Sequence, residues 1–250
     1  MLIKFVLKSE KMAKKGNAAS PEPHSIGMGR IFRNVILGGQ DGVVNVLGIV
    51  LGVATATGSS YIVLLAGLAA TFAESISMAA VAYTTTRAEA EHYDAEVKRE
   101  LREMKEFPHT EREEIEEIYR QKGFSGTLLR QIVDKITSSR RVWLDTMMRE
   151  ELGLENPTER MTAFWQAVLV GGSAVIGSLV PIVTFFFLPV STAMPASLAA
   201  SLAILFLLGA YKSRTTSGKW LMGGLELMVI GGMAALAGWL VGVFFQGPQA

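Results

Sequence analysis

The chain has 250 residues, 50% of them hydrophobic and 19% charged, with a mean hydropathy of +0.32, a formal net charge of +1 and no cysteine. That is more apolar than a soluble domain of this length, and it points to a membrane. Lack of cysteine excludes disulfides, iron–sulfur ligation and thiolate zinc sites, and the three histidines (His24, His92, His109), with no HExxH pair, fall short of the common zinc hydrolase sites.

The charge is segregated along the chain. Residues 1–30 read as a cytoplasmic tail, because the apolar run at 1–7 is too short and too interrupted by Lys4 and Lys8 to form the core of a secretory signal. From 34 to 86 only Asp41 and Glu74 are charged, which leaves enough apolar chain in 31–87 for two membrane helices joined by a turn at 57–60. Residues 88–157 carry most of the charge: between 87 and 160 stand 14 Lys/Arg against 18 Asp/Glu. Neither Gly nor Pro occurs from 68 to 107, so the second membrane helix should run on into this segment for roughly 60 Å in all. Pro108 ends it. Thr110 with Glu113 forms a capping box for a second helix that stops near Gly123, and a third helix is expected over 127–152 with Leu128, Leu129, Ile132, Val133 and Ile136 as its apolar stripe. Residues 158–246 hold the third to fifth membrane helices, broken between 188 and 196 and again at the basic loop 212–219. Lys and Arg cluster in the N-terminal arm and in that loop and are missing from 57–60 and 188–196, which places the N-terminus and the 88–157 insertion in the cytoplasm. The fold class is therefore all-α: a polytopic membrane protein with five transmembrane helices and a cytoplasmic three-helix insertion.

Two constellations carry candidate chemistry. An ionised carboxylate at mid-membrane costs about 2.5–3.5 kcal/mol even on lenient scales, so Asp41 and Glu74 are functional candidates by default. Counted from the cytoplasmic ends of their helices, Asp41 and Met78 share a level, and Asn45 and Glu74 share the next turn deeper. Two antiparallel helices thus present a ladder of Asp, Asn, Glu and Met, whose oxygens and thioether suit a divalent transition metal. The competing structural reading makes Asp41 a helix cap beside Gly38, Gly39 and Gly42, Glu74 a packed neutral acid and Met78 a packing residue. In the insertion, Glu96, Glu100 and Glu103 lie on one helical face, Glu111 and Glu114 are one turn apart, and Met147 and Met148 precede Glu151 by one turn. Here the competing reading is a solvated face of alternating Glu and Lys/Arg. Glu226, at the depth of Asp41, admits two readings: it lines the same path, or it snorkels and pairs with a base such as Lys219. No phosphate-binding loop, dinucleotide fingerprint, nucleophile–base pair or aromatic-interleaved basic patch is found, so neither an enzyme, an organic cofactor nor a nucleic-acid partner is expected.

Three stretches together resemble the vacuolar iron transporter family: Asp41-Gly42-Val43-Val44-Asn45; Ser75-Ile76-Ser77-Met78 leading to Glu91-His92-Tyr93; and Met147-Met148-Arg149-Glu150-Glu151-Leu152-Gly153-Leu154. The resemblance covers about 30–245. It implies a homodimer of five-span protomers with a cytoplasmic metal-binding domain, exchanging Fe²⁺ for H⁺. The residues it implies are Asp41 and Met78 in the pore and Glu100, Glu103, Glu111, Glu114, Met147, Met148 and Glu151 as cytoplasmic ligands. Some members carry a pore carboxylate two turns before the methionine, where this chain has Ala70; Glu74, one turn later, is the candidate replacement. The expected activity is export of Fe²⁺, or of Mn²⁺, Co²⁺ or Zn²⁺, from the cytoplasm against protons, in a plasma or vacuolar membrane. A membrane-anchored metal sensor or buffer is the alternative, and the acids within the bilayer favour transport.

Overall fold

The computed structural model describes residues 26–156, 161–216 and 218–246. The expected tail over 1–30, with His24, lies outside them up to residue 25. Among the described residues there are eight helices and no strand: α1 (Ile26–Thr57), α2 (Ser60–Glu106), α3 (Pro108–Gln121), α4 (Gly126–Thr137), α5 (Arg140–Thr146) running into a π-helical turn (Met147–Glu151), α6 (Ala163–Phe187), α7 (Val190–Thr216) and α8 (Trp220–Phe244). Five of these, α1, α2, α6, α7 and α8, are long and apolar enough to cross a bilayer, and the protein is an all-α membrane protein.

The joints between spans follow local chemistry. α1 and α2 reverse at Gly58-Ser59, where the Ser59 hydroxyl accepts from the Ile62 N–H. α6 and α7 part at Leu188-Pro189 only. Pro195, expected at the edge of that break, lies inside α7, within its first two turns.

α1 is the hub of the membrane part and packs against α2, α6, α7 and α8, while α6 lies along both α1 and α2. Lipid tails are as apolar as leucine, so apolarity alone does not bring these helices together; close van der Waals packing through small residues does. Gly39 of α1 and Gly177 of α6 show how close the backbones come: a methyl group built on Gly177 would overlap the Gly39 carbonyl. Polar stitches join the same pair, with Asn34 Nδ2 donating to Gln166 Oε1 at 3.4 Å. Between α6 and α7 the Ser197 hydroxyl donates to the Pro181 carbonyl at 2.7 Å. Val46, Val50, Ala54, Val63, Ile182, Phe185 and Ala193 form the main apolar core at the loop end of α1 and α2.

The polar insertion has its own core of Ile115, Leu129, Val133, Ile136 and Met147, bordered by Tyr119, Phe124 and Trp143. Ion pairs Arg112–Asp134 and Lys122–Glu150 tie α3 to α4 and to the π turn. Two local expectations are corrected. The capping box does not form: Pro108 occupies the first helical position, so α3 starts at Pro108, Thr110 falls inside its first turn and Phe107 stands at the cap without a side-chain bond. The third helix is not continuous either. The Ser138 hydroxyl bonds the Lys135 carbonyl and Ser139 turns extended, separating α4 from α5, as hydroxyl side chains do when they compete for backbone groups. At the far end the Leu152 N–H reaches the Met147 carbonyl five residues back. Gly153, at φ +63, then lets the Leu154 N–H close on the Met148 carbonyl at 2.8 Å.

The α1–α6 seam generates the first prediction. Gly177→Val forces the two backbones apart and costs about 1–3 kcal/mol, the usual penalty of overpacking. Gly172→Val, one turn and a half away with nothing within 4 Å of the added carbon, is the neutral comparison. Thermal unfolding of both variants in detergent micelles should show a lowered midpoint for Gly177→Val alone.

Candidate metal sites

The membrane ladder forms at one level. Asn45 on α1 donates from Nδ2 to Glu74 Oε1 on α2 at 3.1 Å. Glu74 Oε2 is buried with no hydrogen-bond partner, and the Asp41 carboxyl is near enough to act on Glu74 through its charge. Sequence spacing brings Asp41, Asn45 and Glu74 together here because α1 and α2 run antiparallel from the Gly58 turn and keep register over about four turns. Met78, half-buried, stands one turn from Glu74 on the same face of α2. Ala70 packs into the apolar core, so the polar level of α2 begins at Glu74. Glu226 is exposed on α8.

The second constellation gathers around the polar half of α2. Glu100 is 1% exposed, Glu111 5%, and each has its Oε2 buried without a hydrogen-bond partner. They are held there because α2, α3 and the π turn converge, each contributing part of one acidic face. Burial, followed by the charges of Glu114, Glu100, Glu103 and Glu151, pushes the Glu111 carboxyl up to about 7. Glu151 also stands at about 7, through burial and then Glu114 and Glu100, with Arg99 opposing. Glu100 is raised by burial and then by Glu103, again against Arg99. Five of the expected ligands, Glu100, Glu103, Glu111, Glu114 and Glu151, therefore share one electrostatic neighbourhood. They remain looser than a ready-made single-ion site, since no three His, Asp or Glu among the described residues form one.

The two methionines part company. Met147 is fully buried in the apolar core with Ile115, Leu129, Val133 and Ile136, whereas Met148, 1% exposed, is not part of that core. Neighbours on a helix point about 100° apart, and the π turn does not change this division. Glu96 is occupied by Arg99 at 2.8 Å. Arg99 is the residue that sequence reasoning passed over, although its spacing to Glu96 (i−3) and Glu103 (i+4) is that of helical ion pairs. Two Glu-x-x-His spacings, the helix motif of di-iron carboxylate enzymes, also occur and do not assemble. His92 is 61% exposed and faces Glu96, and Glu106 and His109 straddle the break between α2 and α3.

The raised carboxyls give the insertion a pH signature. An acid whose pKa is higher in the fold than in the open chain supports the fold in its protonated form. The contribution of Glu111 and Glu151 is thus complete below the ordinary value of 4.5 and lost as pH climbs through 7. Hydrogen exchange over 108–151 in the metal-free protein, corrected for intrinsic rates, should show less protection at pH 8 than at pH 5.5. Glu111→Gln should flatten that difference.

The VIT family profile matches residues 32–243. The chain is 35% identical to vacuolar iron transporter 1 of Oryza sativa subsp. japonica over 232 residues, 92% of this chain and 91% of that protein. It is 35% identical to vacuolar iron transporter 1 of Arabidopsis thaliana over 210 residues, 84% of each chain, and 34% identical to that of Tulipa gesneriana over 208 residues, 83% of this chain and 84% of the relative.

Proposed function

Because the chain belongs to the VIT family, we propose that it moves Fe²⁺ out of the cytoplasm across a vacuolar or cell membrane in exchange for protons. The observation that carries this reading is the Asn45–Glu74 hydrogen bond with Asp41 beside it, within a stretch, 34–86, that has no other charged residue. A sensor or buffer needs no acid in the bilayer. The iron in the names of the relatives supports the choice of metal, and the thioether of Met78 beside oxygen ligands fits a borderline-soft cation.

The mechanism follows from proton bookkeeping. A carboxyl binds a cation only after giving up its proton, and it regains one when the cation leaves. Asp41 and Glu74 thereby couple each metal passage to proton return through a shared site. Asn45 orients the Glu74 oxygen and stays neutral throughout. On the polar side, Glu100, Glu103, Glu111, Glu114 and Glu151, with the Met148 sulfur, collect the metal from the cytoplasm before it enters the spans. The protein works as a homodimer: Asn45, though bonded to Glu74, is exposed on the surface of one protomer, and polar surface facing hydrocarbon is costly unless a second copy covers it.

Proteoliposomes carrying an Fe²⁺-sensitive dye and a pH dye test the transport reading. The wild-type protein should show metal entry with opposite proton movement. Asp41→Asn should reduce flux to background, and Glu74→Gln should uncouple or abolish it. Wild-type flux with its coupled pH change in both variants would sink the proposed site, and a lack of flux in the wild type would favour the sensor.

The split between the methionines gives a sharper expectation for the insertion. Replacing Met148 with Leu keeps volume and removes the soft ligand, so affinity for Co²⁺ or Fe²⁺ should fall several-fold while Mg²⁺ binding stays put. Met147→Leu should leave both unchanged, because its sulfur lies among aliphatic side chains. Calorimetric titration of the full chain in detergent distinguishes the two.

A further inference from the structure

Arg99 lies in the middle of the acidic face of α2 and touches three of its carboxylates. Its Nη1 is 2.8 Å from Glu96 Oε2, its Nη2 3.5 Å from Glu100 Oε1 and its Nε 3.3 Å from Glu103 Oε2. The Arg99 side chain is 43% exposed, whereas the Glu100 side chain is 2% exposed. Among the described residues Glu111, Glu114 and Glu151 form no ion pair, so Arg99 is the positive group in contact with this converging set. Its field also reaches Glu151 across the cluster.

We infer that Arg99 is a tethered counter-cation of the insertion's metal site, occupying Glu100 and Glu103 until a divalent ion displaces it and re-entering to help the ion leave. This rests on the proposed role of the cytoplasmic carboxylates as metal ligands. The exchange is sterically open, because the Arg99 side chain is 43% exposed and Glu103 32%, while Glu100 beneath them is buried. Glu96 stays behind as its partner. Standing on the same helix at i−3 and outside the set that the family resemblance assigns to metal, it can hold the displaced guanidinium without giving up a ligand. Two physical consequences follow. While no metal is bound, the arginine offsets part of the repulsion among buried acids that would otherwise push α2, α3 and the π turn apart. With metal bound, a residual positive charge within about 6 Å of a divalent ion in water-like surroundings weakens its hold by about tenfold, which suits a site that must pass its cargo on.

The test uses full-length protein in detergent and Co²⁺ as an air-stable probe, with Glu111→Gln identifying the titration phase that belongs to the insertion. Arg99→Gln and Arg99→Met, the latter keeping the apolar stem, should each tighten that phase by about tenfold. In a chelator chase both should slow Co²⁺ release by a similar factor, and Arg99→Lys should stay close to wild type in both measurements. Unchanged or weaker affinity in the Gln and Met variants, with helicity retained, would make Arg99 a structural brace and overturn the inference while leaving the metal site intact. If wild-type protein shows no phase sensitive to Glu111→Gln, the cytoplasmic site itself fails, and the counter-cation role falls with it.

Discussion

One uninterrupted helix sets the terms for the rest of the molecule. α2 runs 47 residues, about 70 Å, and no glycine or proline breaks it beyond Gly67. Its first half is a membrane span that carries Glu74 and Met78, and its second half is the wall against which α3 and the π turn bring their acids. The insertion meets the membrane part chiefly through this helix. Both candidate metal sites are therefore built on a single rigid element, which is the arrangement that holds ligands most precisely.

The two sites meet the cost of buried acid differently. In the spans the acids are few, and a neutral amide, Asn45, supplies the hydrogen bond that Glu74 would lose to hydrocarbon. In the insertion the acids are many and repel one another, and an arginine at the rim offsets part of that repulsion. The insertion thus meets its acids with a charged partner, and the spans with a neutral one.

Much of this was legible from spacing alone. The two long charge-poor stretches and their turns located the spans within a few residues, and helical register placed Asn45 level with Glu74, where the hydrogen bond is found. What escaped was local competition and tertiary packing. The serine pair at 138–139 broke a helix whose apolar stripe reads as continuous, and Pro108 started α3 ahead of the capping box. Nor does sequence separate Met147 from Met148, since either could turn inward; the apolar core formed by α3 and α4 takes the first. Arg99 looks like one more base on a solvated face until Glu100 beside it proves buried.

A helix that links two sites also fixes their relative phase. At about 100° per residue, the 29 residues from Glu74 to Glu103 bring the chain back to within about 20° of its starting azimuth, and Glu96 falls within about 40° of it. Glu96 and Glu103 thus look out along the same side of the shaft as Glu74, while Glu100, 26 residues on, is turned from it by about 80°. Insertion of a single residue anywhere between 79 and 95 would swing the acidic face of the insertion by more than a quarter of a turn relative to Glu74, whereas seven residues, nearly two full turns, would only lengthen the distance between them. In this protein the length of one helix, counted modulo its pitch, sets how its two acidic levels face each other.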